Sequence, residues 1–200
     1  MRRSSMDRSY FEELYAKHED PWNFATSDYE RRKYSETLAA LPKKRYRRAL
    51  EVGCSIGVLT YDLGARCESL LAIDPAQRAL QQASSRCCAL GNVSFALMEA
   101  PDDWPTGTFD LIVLSEVVYY LTRKLVTALA KRIRESLAPG GHVELVHWTG
   151  ETDYPLSGDE ATEAFFLDTA SFLTVIHQVR TPSYRLALCE RTPLCAPENI

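Results

Sequence analysis

The segment Glu51-Val52-Gly53-Cys54-Ser55-Ile56-Gly57 sets a carboxylate and two glycines where a short apolar run gives way to a stretch of helical period. Ligands of an open parallel sheet bind beyond the carboxyl ends of its strands, so this turn stands where one would be held. Glycine at 53 permits a positive φ and a close approach of backbone to ligand. Gly57 is expected to let the next helix pack against the strand. The dinucleotide fingerprint GxGxxG would need glycine at 55 and glycine or alanine at 58, where the chain has Ser55 and Val58. A pyrophosphate is therefore poorly served. Asp74 follows the second apolar run, where a carboxylate can accept hydrogen bonds from both hydroxyls of a ribose. Together these residues point to a nucleoside ligand without a pyrophosphate.

Other chemistries lack their signatures. Ser55, Cys54 and Ser115 have no GxSxG elbow and no Cys–His pattern around them. The six cysteines, at 54, 67, 87, 88, 189 and 195, include no CxxC pair and no histidine at zinc-ligand spacing. They read as free thiols of a reducing cytoplasm, and no metal site is expected. His18, His142 and His177 read as structural or solvated.

The elements that would position these residues follow from periodicity. Short apolar runs at Ala49 to Val52, Leu70 to Ile73, Val93 to Leu97, Phe109 to Leu114 and His142 to His147 alternate with helix-period stretches at 57–65, 75–90 and 122–137. That alternation is the sequence form of a βαβ series. A further helix near 159–169 precedes two runs, 172–179 and 184–189, whose spacing across Thr181-Pro182-Ser183 makes a hairpin. The fold class expected is α/β: a Rossmann-like, seven-stranded, mostly parallel sheet with one antiparallel strand and helices on both faces. Residues 10–42 read as one or two helices broken at Asp20-Pro21, lying across the sheet as a lid. The organisation expected is an N-terminal helical lid over 1–44, a core over 45–191 and a tail over 192–200.

With 46% hydrophobic and 25% charged residues in 200, the composition is that of one folded domain. No apolar run is long enough for a membrane span or an export signal, so a cytoplasmic location is expected. The first 50 residues hold twelve Lys/Arg against eight Asp/Glu, although the whole chain is at −4. Their densest run, Lys43 to Arg48, reads as a solvated lead-in to the first strand. Nucleic-acid binding would want a basic stripe with interleaved stacking aromatics and is not expected.

S-adenosylmethionine is a nucleoside ligand of the required kind. On LEVGCSIG at 50–57, LLAIDPA at 70–76, FDLIVLSEVVYYL at 109–121 and LAPGG at 137–141, the chain resembles the class I methyltransferases over residues 45 to 190. More narrowly, DPWNFATSDYERRKYSETLAALP at 20–42 and EVVYYL resemble the nodulation protein S (NodS) family of N-methyltransferases, which act on the amine of a deacetylated chitooligosaccharide. The resemblance implies that the Gly53 turn approaches the methionine end of the cofactor, with polar contacts from Glu51, and that Asp74 holds the ribose. Glu99 falls where the family more often has Asp near the adenine. Cys54, Ser55, Gly57, Ala100 and Ser115 complete the expected cofactor set.

Methyl transfer is an in-line displacement that needs alignment more than covalent help from the protein. Aromatic faces near the cationic sulfur add attraction, for which Trp22, Tyr34, Tyr119 and Tyr120 are candidates. An amine acceptor must lose a proton before its lone pair attacks, and Glu116, Tyr120 and His147 are the candidate catalytic groups. The expected activity is N-methylation of an amine such as that of a deacetylated amino sugar or oligosaccharide. O-methylation of a small metabolite and a non-catalytic cofactor-binding scaffold are the alternatives. The expected partner is a small-molecule or oligosaccharide acceptor.

Overall fold

The computed structural model describes residues 5–192. The expected tail and Cys195 therefore lie, but for residue 192, outside the described residues. In chain order the elements are α1 (Arg8–Lys17), α2 (Asp28–Ala40), β1 (Tyr46–Val52), α3 (Val58–Gly64), β2 (Cys67–Asp74), α4 (Gln77–Arg86), β3 (Val93–Leu97) and β4 (Phe109–Ser115). A 3-10 turn (Val118–Tyr120) leads to α5 (Arg123–Ser136), β5 (Leu137–Trp148), α6 (Gly158–Thr169), β6 (Leu173–Arg180) and β7 (Tyr184–Arg191).

The seven strands form one sheet in the order β3-β2-β1-β4-β5-β7-β6. Neighbours are parallel from β3 through β5, and β7 runs antiparallel between β5 and β6. This is the expected class with its single antiparallel strand. Alternating residues of the central strands feed two cores. Leu50, Val52, Ile112 and Leu114 pack with Val126, Leu129 and Ile133 of α5 and Phe165 of α6. Ala49, Leu111 and Val113 pack with Leu59 and Leu63 of α3 and Tyr34 of α2.

The strands exceed the apolar runs that announced them. β1 begins at Tyr46, since Tyr46 and Arg48 are already in register with Cys67 and Ser69, while the amides of Arg47 and Arg48 donate to Asp110. The basic run 43–48 is exposed except for Tyr46, as a solvated approach to a strand should be. β5 begins at Leu137, but Phe109 pairs with Leu137 and Leu111 with His142, so Pro139-Gly140-Gly141 bulges out of the ladder, with Gly140 at φ +64°. No helix among the described residues is long and apolar enough to cross a membrane, and no three His, Cys, Asp or Glu among them gather to hold a metal.

The N-terminal helices are docked by specific bonds. The break between them spans residues 18–27 rather than one peptide, and Asp20 organises it by accepting from the amides of Phe24 and Ala25. Asp7 caps α1 and Ser27 caps α2. Ser5 and Met6 bond to the carbonyl of Tyr120. At the far end, Arg66 donates to four carbonyls at the end of α2 and just beyond it: Leu38 (2.9 Å), Leu41 (3.4 Å), Lys43 (2.6 Å) and Lys44 (2.9 Å). Helix-terminal carbonyls have no intrahelical partner, so one guanidinium ties α2 to the core. Arg66→Ala should therefore lower stability by about 1.5 kcal/mol, the low end for bonds from a charged donor because the group is partly exposed. Hydrogen exchange should accelerate across residues 28–41, and exchange unchanged there would refute the tether.

Candidate functional site

The loop after β1 returns along β2: the amides of Gly53 and Cys54 both donate to the carbonyl of Ile73, at 2.8 and 3.1 Å. Gly53 has φ +77°, and a Cβ there would stand 2.5 Å from Val117 Cγ2, so the loops after β1 and β4 touch without a side chain between them. Ser55 also takes a positive φ, +51°, where the common pattern has glycine. Gly57 departs from the expected role. Its Cβ would meet Ala83 Cα of α4 at 2.8 Å, so this glycine admits a neighbouring helix rather than packing its own helix on the strand.

Asp74 closes β2 and is buried, with Oδ2 accepting from Ser55 N–H at 2.8 Å and Oδ1 from Ala76 N–H at 2.9 Å. These bonds orient the carboxylate, and each oxygen keeps a lone pair for a ligand. Burial pushes its pKa up to about 6 against the pull of the two amides. Glu51 is 1% exposed and its Oε2 has no hydrogen-bond partner. Burial lifts it to about 8, opposed by the Thr60 hydroxyl and helped by Asp74. Glu99 accepts from the Arg8 amide at 3.1 Å and faces the Arg8 guanidinium at 3.8 Å.

Glu116 follows β4 at φ +57°. Its Oε1 lies 2.5 Å from Lys33 Nζ, and its Oε2 accepts from the Tyr119 hydroxyl at 2.7 Å and the Trp148 amide at 2.8 Å. Burial alone would raise its pKa, but Lys33, His147 and the Trp148 amide outweigh it and hold the carboxyl below its usual value. Burial and nearby Tyr154 push the Tyr120 hydroxyl well above its ordinary range, so it is a proton-bearing donor and not a base.

These groups border one cavity with about 900 Å³ of space between atoms, open mouth included, a size suited to a small ligand. Of the expected residues, Trp22, Tyr34, Glu51, Gly53, Cys54, Ser55, Asp74, Glu99, Ala100, Ser115, Glu116 and Tyr120 line it, and Gly57, Tyr119 and His147 do not. Tyr119 lies behind Glu116. His147 is fully buried, its Nε2 accepting from Val118 N–H at 3.2 Å and its Nδ1 3.5 Å from the Thr162 hydroxyl. Burial drives its pKa down to about 4. With the basic nitrogen occupied and no access to the cavity, His147 braces the turn after β4 and is not a general base.

The N-terminal helices supply an aromatic wall. Trp22 stacks on Phe24 at 5.3 Å, Tyr15 meets Trp22 edge-on at 6.0 Å, and Phe11 meets Tyr120 at 5.0 Å. The Tyr15 hydroxyl bonds to Ser55 Oγ. Tyr29 packs instead on Trp148 and Tyr184, away from the cavity. Sequence reasoning missed Phe11, Tyr15 and Lys33. It assigned Lys33 to the wet side of α2 with Arg31 and Arg32, yet Lys33 is 2% exposed. The signal was present, because Glu30, Lys33, Tyr34 and Thr37 fall on one helical face and all four are buried.

Glu51 carries a pH signature. Its folded pKa lies near 8 and its ordinary value is 4.5, so between those limits the folded chain holds a proton that the unfolded chain has released. Stability is then fully present below about pH 4.5 and falls as pH rises towards 8. Asp74 and Glu144, both raised by burial, act in the same direction. Glu51→Gln cannot ionise, so its melting temperature should decline less steeply than wild type from pH 5 to 8 and exceed it at pH 8. Parallel declines in ligand-free thermal melts would refute the assignment.

The model of the nodulation protein S (NodS) family matches residues 10–144. Nodulation protein S of Rhizobium tropici is 32% identical over 128 residues, covering 62% of this chain and 53% of that protein. Phosphoethanolamine N-methyltransferase 1 of Arabidopsis thaliana is 31% identical over 120 residues, 58% of this chain and 24% of that protein. The chain thus spans about half the length of the curated nodulation proteins it matches. Among solved structures, N-methyltransferase NodS from Bradyrhizobium japonicum WM9 in complex with S-adenosyl-L-homocysteine has the same fold. The TM-score is 0.79 at 23% identity, over 93% of this chain and 99% of that one. The family match runs from α1 into β5, well over half of the chain, and the chain belongs to the nodulation protein S (NodS) family.

Proposed function

We propose that this protein is an S-adenosylmethionine-dependent methyltransferase acting on an amine nitrogen. The observation that carries the reading is the charge of the cavity. Four carboxylates, Glu51, Asp74, Glu99 and Glu116, line it with an aromatic wall, and no Lys, Arg or His is among its described lining residues. Such a site suits a ligand with a sulfonium and an α-ammonium, and it offers nothing to the pyrophosphate of NAD. The residues fit that cofactor in detail. A Cβ at Gly53 would close the cradle, Glu51 presents an unpaired oxygen, and Asp74 keeps lone pairs for two ribose hydroxyls.

When bound, the cofactor supplies a methyl group on cationic sulfur, open to in-line attack. The amine lone pair forms the new N–C bond as the C–S bond breaks, its electrons stay on sulfur, and the positive charge passes to nitrogen. Glu116, held ionised, accepts an N–H hydrogen bond and stabilises the charge as it develops; the surplus proton then leaves to water. Trp22, Phe24 and Tyr34 exclude water and face the cation. The N-terminal segment, residues 1–44, acts as a lid over this chemistry.

The finer reading of the acceptor is the amino group of a deacetylated amino sugar or oligosaccharide. It rests on family membership, and the uncharged amine it requires suits a cavity ringed by carboxylates. A phosphorylated amine is disfavoured, because a phosphate would meet four carboxylates and no cation.

S-adenosylmethionine at about a hundredfold excess over its dissociation constant should stabilise the protein by roughly 2.7 kcal/mol, and NAD should not. Asp74→Ala should weaken cofactor binding by about 1.5 to 3 kcal/mol in calorimetry; unchanged affinity would remove the ribose assignment. Mass spectrometry with labelled cofactor and a panel of amino sugars, polyamines, phosphoethanolamine and alcohols should find label on unphosphorylated amines. Label on alcohols alone would overturn the nitrogen acceptor.

A further inference from the structure

Lys33 reaches the site from α2, not from the sheet, and is 2% exposed. Its Nζ lies 3.0 Å from Glu30 Oε1, one turn earlier on the same helix, and 2.5 Å from Glu116 Oε1. The rings of Tyr29 and Tyr34 flank it at 5.2 and 5.8 Å. Glu116 borders the cavity and Lys33 does not. A buried ammonium persists only when paired, and two carboxylates around one ammonium leave this cluster one net negative charge.

We infer that Lys33 is a positioning residue for Glu116: carried by the N-terminal segment, it keeps the Glu116 carboxylate ionised and oriented, so that docking of α2 completes the acceptor site. The inference rests on the proposed transfer to an amine, but the ionisation of Glu116 is measurable without turnover.

The groups around Glu116 single out Lys33. From α2 come Glu30, Tyr29 and Tyr34, from the 3-10 turn Tyr119 and Tyr120, and from β5 His147. The tyrosines are pushed upward and stay protonated, and His147, lowered to about 4 by burial, is neutral at physiological pH. Arg185 of β7, in register with His147, is engaged by Asp159 and Glu163. Without Lys33, burial and the like charge of Glu30 would both favour a protonated Glu116. A neutral carboxyl cannot balance the charge that appears on the acceptor nitrogen.

The test follows the Glu116 carboxyl by carbon-13 NMR titration of the full chain, its signal assigned with Glu116→Gln. Lys33→Met should raise the Glu116 midpoint by about 1 to 3 pH units, and Lys33→Arg should restore most of the difference. With an amine acceptor, the acidic limb of kcat/KM should move up in parallel and neutral-pH kcat should fall roughly tenfold per unit. The S-adenosylmethionine dissociation constant should stay nearly unchanged. If Lys33→Met fails to fold, the double variant Glu30→Gln, Lys33→Met, which leaves a single carboxylate in the cluster, carries the same titration. A Glu116 midpoint unchanged in whichever variant folds overturns the inference. A wild-type protein that binds the cofactor but methylates no amine would instead overturn the acceptor reading, and the NMR titration would still decide the role of Lys33.

Discussion

At Gly53 the chain leaves β1 with φ +77°, and the missing Cβ lets Val117 occupy the space beside it. Two loops meet there, one after β1 and one after β4, and the rest of the cavity is placed relative to that contact. On one side the turn sends Ser55 back to Asp74. On the other, the chain bends at Glu116, φ +57°, so that its carboxylate faces the cavity and does not continue the ladder. β1 and β4 are neighbours in the sheet, yet the chain runs from β1 to β2 on one side and from β4 to β5 on the other. That divergence opens a crevice at the carboxyl ends of the strands.

Four carboxylates share the crevice, and each is accommodated differently. Asp74 is steadied by two backbone amides, Glu99 by Arg8, and Glu116 by Lys33, Tyr119 and Trp148. Glu51 has an oxygen left over and meets burial by holding its proton to about pH 8. Burying charge is unfavourable unless a partner is supplied, so the ligand-free crevice stores a preference for positive ligands. Arg8 and Lys33 both come from the N-terminal helices, which therefore supply the cover of the site and part of its charge balance together.

The strand and helix order was legible in the sequence because buried parallel strands read as short apolar runs between turn residues. Val93–Leu97 coincides with β3, and the breaks at Asp20-Pro21 and Pro139-Gly140-Gly141 mark real interruptions. The starts of β1 and β2 were not legible. Arg47, Arg48, Glu68 and Ser69 are exposed strand residues, and their polar side chains hide a backbone that is already paired. In α2 the adjacent charges of Arg31, Arg32 and Lys33 suggested one wet face, although helical period separates Lys33 from its neighbours.

Taken alone, the sequence determined the order of the elements, the ligand turn at Gly53 and the carboxylate at the end of β2, because backbone preference and side-chain period act locally. Tertiary structure alone decided that Lys33 meets Glu116 across 83 residues. It also decided that Val118 takes the lone pair of His147 and that Gly57 is a helix contact. Which charges are buried together, and which basic nitrogen stays free, depends on how distant segments pack, and no local pattern along the chain encodes that.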